Sequence, residues 1–85
     1  MITNANAFDA LISAEIRAEL GRQKFQVIDL AEHSSMTRDQ LNDRINARYK
    51  FSIGELQEIC HLLNVRPDDI INRARHETTK KEATV

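Results

Sequence analysis

The stretch Leu-Ala-Glu-His-Ser-Ser-Met-Thr-Arg-Asp-Gln-Leu-Asn-Asp-Arg-Ile-Asn, residues 30–46, decides the fold, because it holds two helical patterns separated by Ser34-Ser35-Met36. On its near side, Val27, Ile28, Leu30 and Ala31 predict a helix of about two turns that stops at Ser34-Ser35. On its far side, Thr37 supplies an N-cap hydroxyl and Gln40 stands three residues later, as in a capping box. Leu41 and Ile45 follow one turn apart, so a helix near 37–46 is expected. The break either joins two core helices or aims the second one away from the protein.

The neighbouring segments decide what the pair packs against. Upstream, Phe8, Leu11, Ile12, Ile16 and Leu20 recur at steps of three and four, which puts them on one face of a helix over about residues 6–23, with Asn6 as N-cap. Downstream, residues 47–51 lack periodicity and read as a loop. Ser52 and Glu55 form a second capping box, opening a helix that carries Ile53, Leu56, Ile59, Cys60 and Leu63 and ends at Asn64. Pro67 at a first helical position, with Asp68 and Asp69 complementing the dipole and Ile70-Ile71 behind them, predicts a fifth helix of about two turns. Residues 76–85 show no apolar spacing and are expected to be a flexible tail, leaving residues 1–75 as one domain.

Composition agrees with an all-α fold of five helices. Aromatic residues are 5% of the chain, with no Trp, two Gly and one Pro, so many short strands and their turns lack the residues they need. The 85 residues suffice for one core. No apolar run approaches the ~20 residues of a membrane span, the N-terminus lacks a signal-like core, and a single Cys60 cannot close an internal disulfide. An intracellular protein, away from membranes, is the expectation.

Charge is nearly balanced at −1, which disfavours an indiscriminate polyanion binder, but its distribution is uneven. Residues 37–50 carry four basic and two acidic side chains, whereas residues 51–71 carry one and four. Setting Leu41 as the core direction, 100° per residue places Ile45 at about 40°, Arg38 at about 60° and Arg44 at about −60°. Asp39, Asp43 and Asn46 fall on the far side, flanked by Gln40 and Asn42. Asn and Gln match adenine edges, Arg matches guanine and Asp accepts from cytosine. Polar residues opposite Leu41 and Ile45 are also what any amphipathic helix displays, although Glu and Lys make better solvated faces than amides do.

Other chemistries find little support. His33, Cys60, His61 and His76 have no zinc-ligand spacing, adjacent Cys60 and His61 pointing about 100° apart on a helix. No nucleophile elbow, phosphate loop or metalloprotease motif is present. No enzyme, metal, cofactor or small-molecule ligand is therefore expected.

Residues from about 14 to 71 resemble the phage-repressor family (XRE, Cro-like, lambda-repressor-like), aligning without gaps from Phe25 through Ile71. The matches are Ile16-Arg17, Leu30-Ala31, Thr37-Arg38, Leu41, Asn46, Glu55-Leu56, Ile59 and the run Leu63-Asn64-Val65-Arg66-Pro67-Asp68-Asp69-Ile70. The resemblance implies a helix-turn-helix over about 27–46, with Ala31 at the helix crossing, Met36 and Leu41 filling the angle, and Cys60 buried. It also implies a double-stranded DNA partner, an operator read by a homodimer of a bacterial or phage repressor in the cytoplasm or nucleoid. Base contacts then fall to Arg38, Asp39, Gln40, Asn42 and Asp43. Phosphate contacts fall to Thr37, Asn46, Arg48, Tyr49 and Lys50.

At these positions the humbler roles are a helix cap for Thr37, ordinary surface pairing of Asp39 and Asp43 with Arg38 and Arg44, and a soluble loop at 46–50. Three departures from the family stand out. Ser35 occupies a turn position commonly held by Gly, at a cost of about 1 kcal/mol if a positive φ is kept there. Val27 replaces a phosphate-reaching Gln, and Arg44 stands where an apolar residue is common, with Ile45 one step along. The alternative reading is a helix-turn-helix protein-interaction module, of antitoxin or anti-repressor type, which the −1 charge, the acidic pair and the missing Gln favour.

Overall fold

The computed structural model describes residues 7–83, which form five α-helices: α1 (Ala7–Gln23), α2 (Val27–His33), α3 (Arg38–Ile45), α4 (Ile53–Leu62) and α5 (Pro67–Ala83). No strand occurs among the described residues. Asn6, the expected cap of α1, lies outside them. Both capping boxes form. The Thr37 and Ser52 hydroxyls accept from the Gln40 and Glu55 amides, and the side chains of Gln40 and Glu55 accept from the backbone N–H of Thr37 and Ser52. Each box satisfies two of the N–H groups that a helix start leaves unpaired.

The apolar stripes converge on one core. It comprises Ile12, Ile16 and Leu20 of α1, Leu30 of α2, Met36 of the turn, Leu41 and Ile45 of α3, Leu56, Ile59, Cys60 and Leu63 around α4, and Ile70 and Ala74 of α5. α1 packs on α5 and α3, while α2 packs on α3 and α4. Phe51, in the aperiodic segment between α3 and α4, is buried with them and pins that connection to the core. Phe8 is half-buried against the same cluster, and Ile70 and Ala74 are fully buried.

Helix ends explain three strained residues. After α1, α3 and α4 the chain closes with paired bonds: Phe25 N–H to Leu20 and Lys24 N–H to Gly21, Arg48 N–H to Asp43 and Ala47 N–H to Arg44, Val65 N–H to Cys60 and Asn64 N–H to His61. This arrangement needs a positive φ just past the helix end, and Lys24 (58°), Ala47 (63°) and Asn64 (58°) adopt it. Only Asn64 is a residue type that tolerates it well. Ala47→Gly is therefore expected to stabilise the fold by about 0.5–1 kcal/mol, the relief of strain exceeding the extra freedom of an unfolded glycine. A melting temperature raised by a few degrees is the readout.

Glu19 is a buried charge that α1 and α5 share. Its carboxylate accepts from Gln23 (2.8 Å), Arg22 (2.8 Å) and Arg73 (3.0 Å), while Gln23 also donates to the Leu63 carbonyl (2.7 Å). The Gln23 bond first, then the Arg22 and Arg73 guanidinium groups, hold its pKa at about 2 against the opposing effect of burial. Because the folded value lies below the ordinary 4.5, the stabilisation is complete above pH 4.5 and is lost as pH falls toward 2; it amounts to at most about 3 kcal/mol. Glu19→Gln should accordingly be less stable than the parent at pH 7. Urea titrations should show that gap closing between pH 4.5 and 2.5. Beside it, burial and the Glu19 charge push the Cys60 thiol up to about 11, so it stays protonated and unreactive.

α5 departs from the sequence expectation. In place of two turns it runs for 17 residues, through the segment 76–83 that apolar spacing alone assigns to the tail. Apolar spacing ends at Ala74, the last core residue among the described side chains. The continuation rests on helix propensity from Arg, Glu, Lys and Ala and on propagation from an already anchored start.

Candidate nucleic-acid interface

Leu41 and Ile45 are both buried, so the register of α3 follows Ile45 although Arg44 stands where the family commonly has an apolar residue. The opposite side faces solvent. Arg38, Asp39 and Gln40 are exposed, Asn42 and Asp43 half-buried, and Thr37, Asn46, Arg48, Tyr49 and Lys50 extend this surface at either end. All ten residues singled out from the sequence thus lie on one short helix and its flanks, within residues 37–50.

They are not equally available. Thr37 acts as the α3 cap, accepting from Gln40 N–H at 3.1 Å, and Gln40 Oε1 accepts from Thr37 N–H at 3.0 Å. The Gln40 carbonyl is therefore committed, while its NH2 group has no protein acceptor among the described residues. Asn46 folds back to donate to the Asn42 carbonyl at 3.0 Å. Arg38, Asp39, Lys50 and the side-chain amide of Asn42 take no partner among the described residues.

The acidic residues pair differently from expectation. Neither Asp39 nor Asp43 bridges to Arg38 or Arg44. Arg48 instead meets Asp43 at 3.1 Å, because the positive φ at Ala47 turns the chain back over the last turn of α3. With the Arg48 side chain 62% exposed, such a pair contributes little and opens at little cost. Arg44 turns to α4, placing its guanidinium 3.3 and 3.4 Å from the two Glu55 oxygens and 5.6 Å from the centre of the Tyr49 ring. Burial alone raises the Glu55 pKa, but the Ser52 N–H and the Arg44 charge outweigh it and hold the carboxyl below its usual range. Glu55 thus serves as capping residue, as Arg44 partner and, through Arg44, as support for Tyr49.

The turn differs from the family expectation too. Ser35 takes no positive φ. Its N–H and hydroxyl donate to the two Glu58 oxygens at 2.7 and 2.8 Å, and Ser34 closes the bend by accepting from Met36 N–H at 3.1 Å. At the far end of α3, the Ser13 hydroxyl donates to the Arg44 carbonyl at 2.7 Å and Arg17 donates to the Ile45 carbonyl. Sequence reasoning missed Ser13, Arg17 and Glu58. For Ser13 a signal existed: at about 100° from Ile12 it sits beside Leu20 at about 80°, a polar residue at the edge of the apolar arc.

Among the described residues no three His, Cys, Asp or Glu side chains come together as a metal site, and no helix is long and apolar enough to cross a membrane. No curated protein matches this chain. Among solved structures, the clp gene regulator ClgR from Corynebacterium glutamicum is similar, with a TM-score of 0.81 and 21% sequence identity over 91% of this chain and 82% of that one, a likeness of fold. A family model for the Cro/C1-type HTH DNA-binding domain matches residues 15–74, which span α1 from its middle to the buried part of α5 and include the whole helix-turn-helix. The chain belongs to the Cro/C1-type helix-turn-helix DNA-binding domain family.

Proposed function

We propose that this chain is a sequence-specific regulator of transcription that represses by occupying an operator, with α3 in the major groove and residues 46–50 on the backbone. The observation that carries the reading is the exposed polar face of α3, where Arg38, Asp39 and the free amide of Asn42 stand off a helix whose other side is core. Arg and amide side chains are the bidentate readers of guanine and adenine. Arg48, Tyr49 and Lys50 follow as phosphate donors. That ClgR, similar in fold, is a gene regulator supports the same reading. Such a protein acts where the DNA is, in a bacterial cytoplasm or nucleoid.

At eight residues, α3 is about 12 Å long and spans too few base pairs for an address in a genome, so a homodimer on an inverted repeat is part of the proposal. Selection of bound fragments from random duplex DNA tests it. An inverted repeat with half-sites about one helical turn apart supports the reading, and a pool without a common sequence refutes it. Asp43 has a second part here, holding Arg48 in the free protein and repelling phosphate. Asp43→Asn is expected to tighten binding to unrelated duplexes by severalfold and lower the preference for the operator, as measured by fluorescence anisotropy.

The surface of Phe25 (40% exposed) and Ile28 (46% exposed), beside a groove lined by Asp29, Leu30, His33 and Leu62, favours a second reading in which a protein partner docks on α2. Salt separates the two, since counterion release makes DNA binding fall steeply with ionic strength and a largely apolar contact responds mildly.

A further inference from the structure

α3 makes contact with the core through only two of its own side chains, Leu41 and Ile45, one turn apart. Apolar contact is non-directional, so two such anchors leave the helix free to rock about the line that joins them. Directional bonds at its two ends remove that freedom. At the entry, Glu58 of α4 takes both the N–H and the hydroxyl of Ser35. At the exit, Ser13 and Arg17 of α1, four residues apart and so on one face, bond the Arg44 and Ile45 carbonyls. These carbonyls belong to the last turn, where the helix supplies no amide four residues on; the Arg44 carbonyl accepts from Ala47 N–H as well as from Ser13.

We infer that Ser13, Arg17 and Glu58 form a two-ended polar clamp that sets the angle of α3 and thereby its sequence preference, without touching DNA. The inference rests on the DNA-reading proposal for its consequence, not for the clamp itself. A tilt of about 10° along a helix about 12 Å long displaces one end by about 2 Å relative to the other. Base-edge hydrogen bonds do not survive such a shift, whereas attraction between flexible cations and phosphates does. The clamp therefore governs discrimination more than overall affinity. Glu58 makes up on α4 for the fixed geometry that Ser35 does not obtain from a left-handed turn.

Two measurements on Glu58→Ala and Ser13→Ala test it, with Ile59→Val as a core variant that removes none of the clamp's hydrogen bonds. The first uses no DNA. Residual dipolar couplings of the free proteins should show α3 reoriented against α1 and α4 in the two clamp variants and unmoved in Ile59→Val; an unmoved α3 in Glu58→Ala and Ser13→Ala overturns the clamp. The second compares binding to the selected duplex and to its scrambled counterpart, below the melting transition of each variant. Operator affinity should fall about tenfold, the equivalent of one lost base contact, with the scrambled duplex changed by less than about twofold. Glu58→Gln, which keeps an acceptor for Ser35, should recover part of the preference. Equal losses on both duplexes overturn the positioning role. A parent protein that fails to prefer the selected duplex refutes the DNA reading instead, and the couplings then decide the clamp on their own.

Discussion

Arg48→Ala combined with Lys50→Ala is expected to weaken binding to any duplex by about two orders of magnitude at about 50 mM salt, and by about one at about 200 mM, through the loss of two phosphate contacts. The slope of log affinity against log salt should become shallower by about 1.8. Base preference should survive, because neither side chain lies on the α3 face. The Asp43 pair does not protect Arg48 from this assignment: it is exposed, and a phosphate offers the same guanidinium a replacement acceptor. An unchanged salt slope would remove residues 46–50 from the interface.

The second large effect lies on the opposite side of α3. Leu41 is fully buried and belongs to the same cluster as Leu30, Met36 and Ile45, so Leu41→Ala removes an anchor of the helix proposed to read DNA. A cost of about 2–5 kcal/mol is expected, a large part of the total stability of a domain this size. Thermal melting should move down by more than about 10 °C. Arg38, by contrast, is the first residue of α3 and is exposed. Arg38→Ala should leave stability within about 0.5 kcal/mol while weakening operator binding. The two substitutions separate what holds α3 from what α3 does. If Arg38→Ala destabilised the fold as much as Leu41→Ala, that division of the helix would be wrong.

Features set by near neighbours in the chain were legible in the sequence. Thr37 with Gln40 and Ser52 with Glu55 announce two helix starts at three-residue range, and the structure forms both boxes. The apolar stripe of α1 and the buried pair Leu41 and Ile45 follow from periodicity in the same way. The ten candidate residues could be gathered on one helix and its flanks for the same local reason. What they bond to could not. Arg48 reaches Asp43 only because Ala47 takes a left-handed φ, which an alanine does not advertise. Ser35 meets Glu58 across 23 residues of chain and Ser13 meets Arg44 across 31, so no local pattern links them. The length of α5 was hidden for the opposite reason, since beyond Ala74 its sequence carries no apolar rhythm to read.

Whether the outer face of α3 meets DNA can be tested residue by residue, by titrating 15N-labelled protein with the selected duplex at about 100 mM salt, where phosphate contacts are neither saturated nor abolished. The largest amide shifts are expected within residues 35–50, with α5 nearly silent. Shifts centred on Phe25, Ile28 and Leu62, with residues 37–50 unmoved, would contradict a DNA-reading α3.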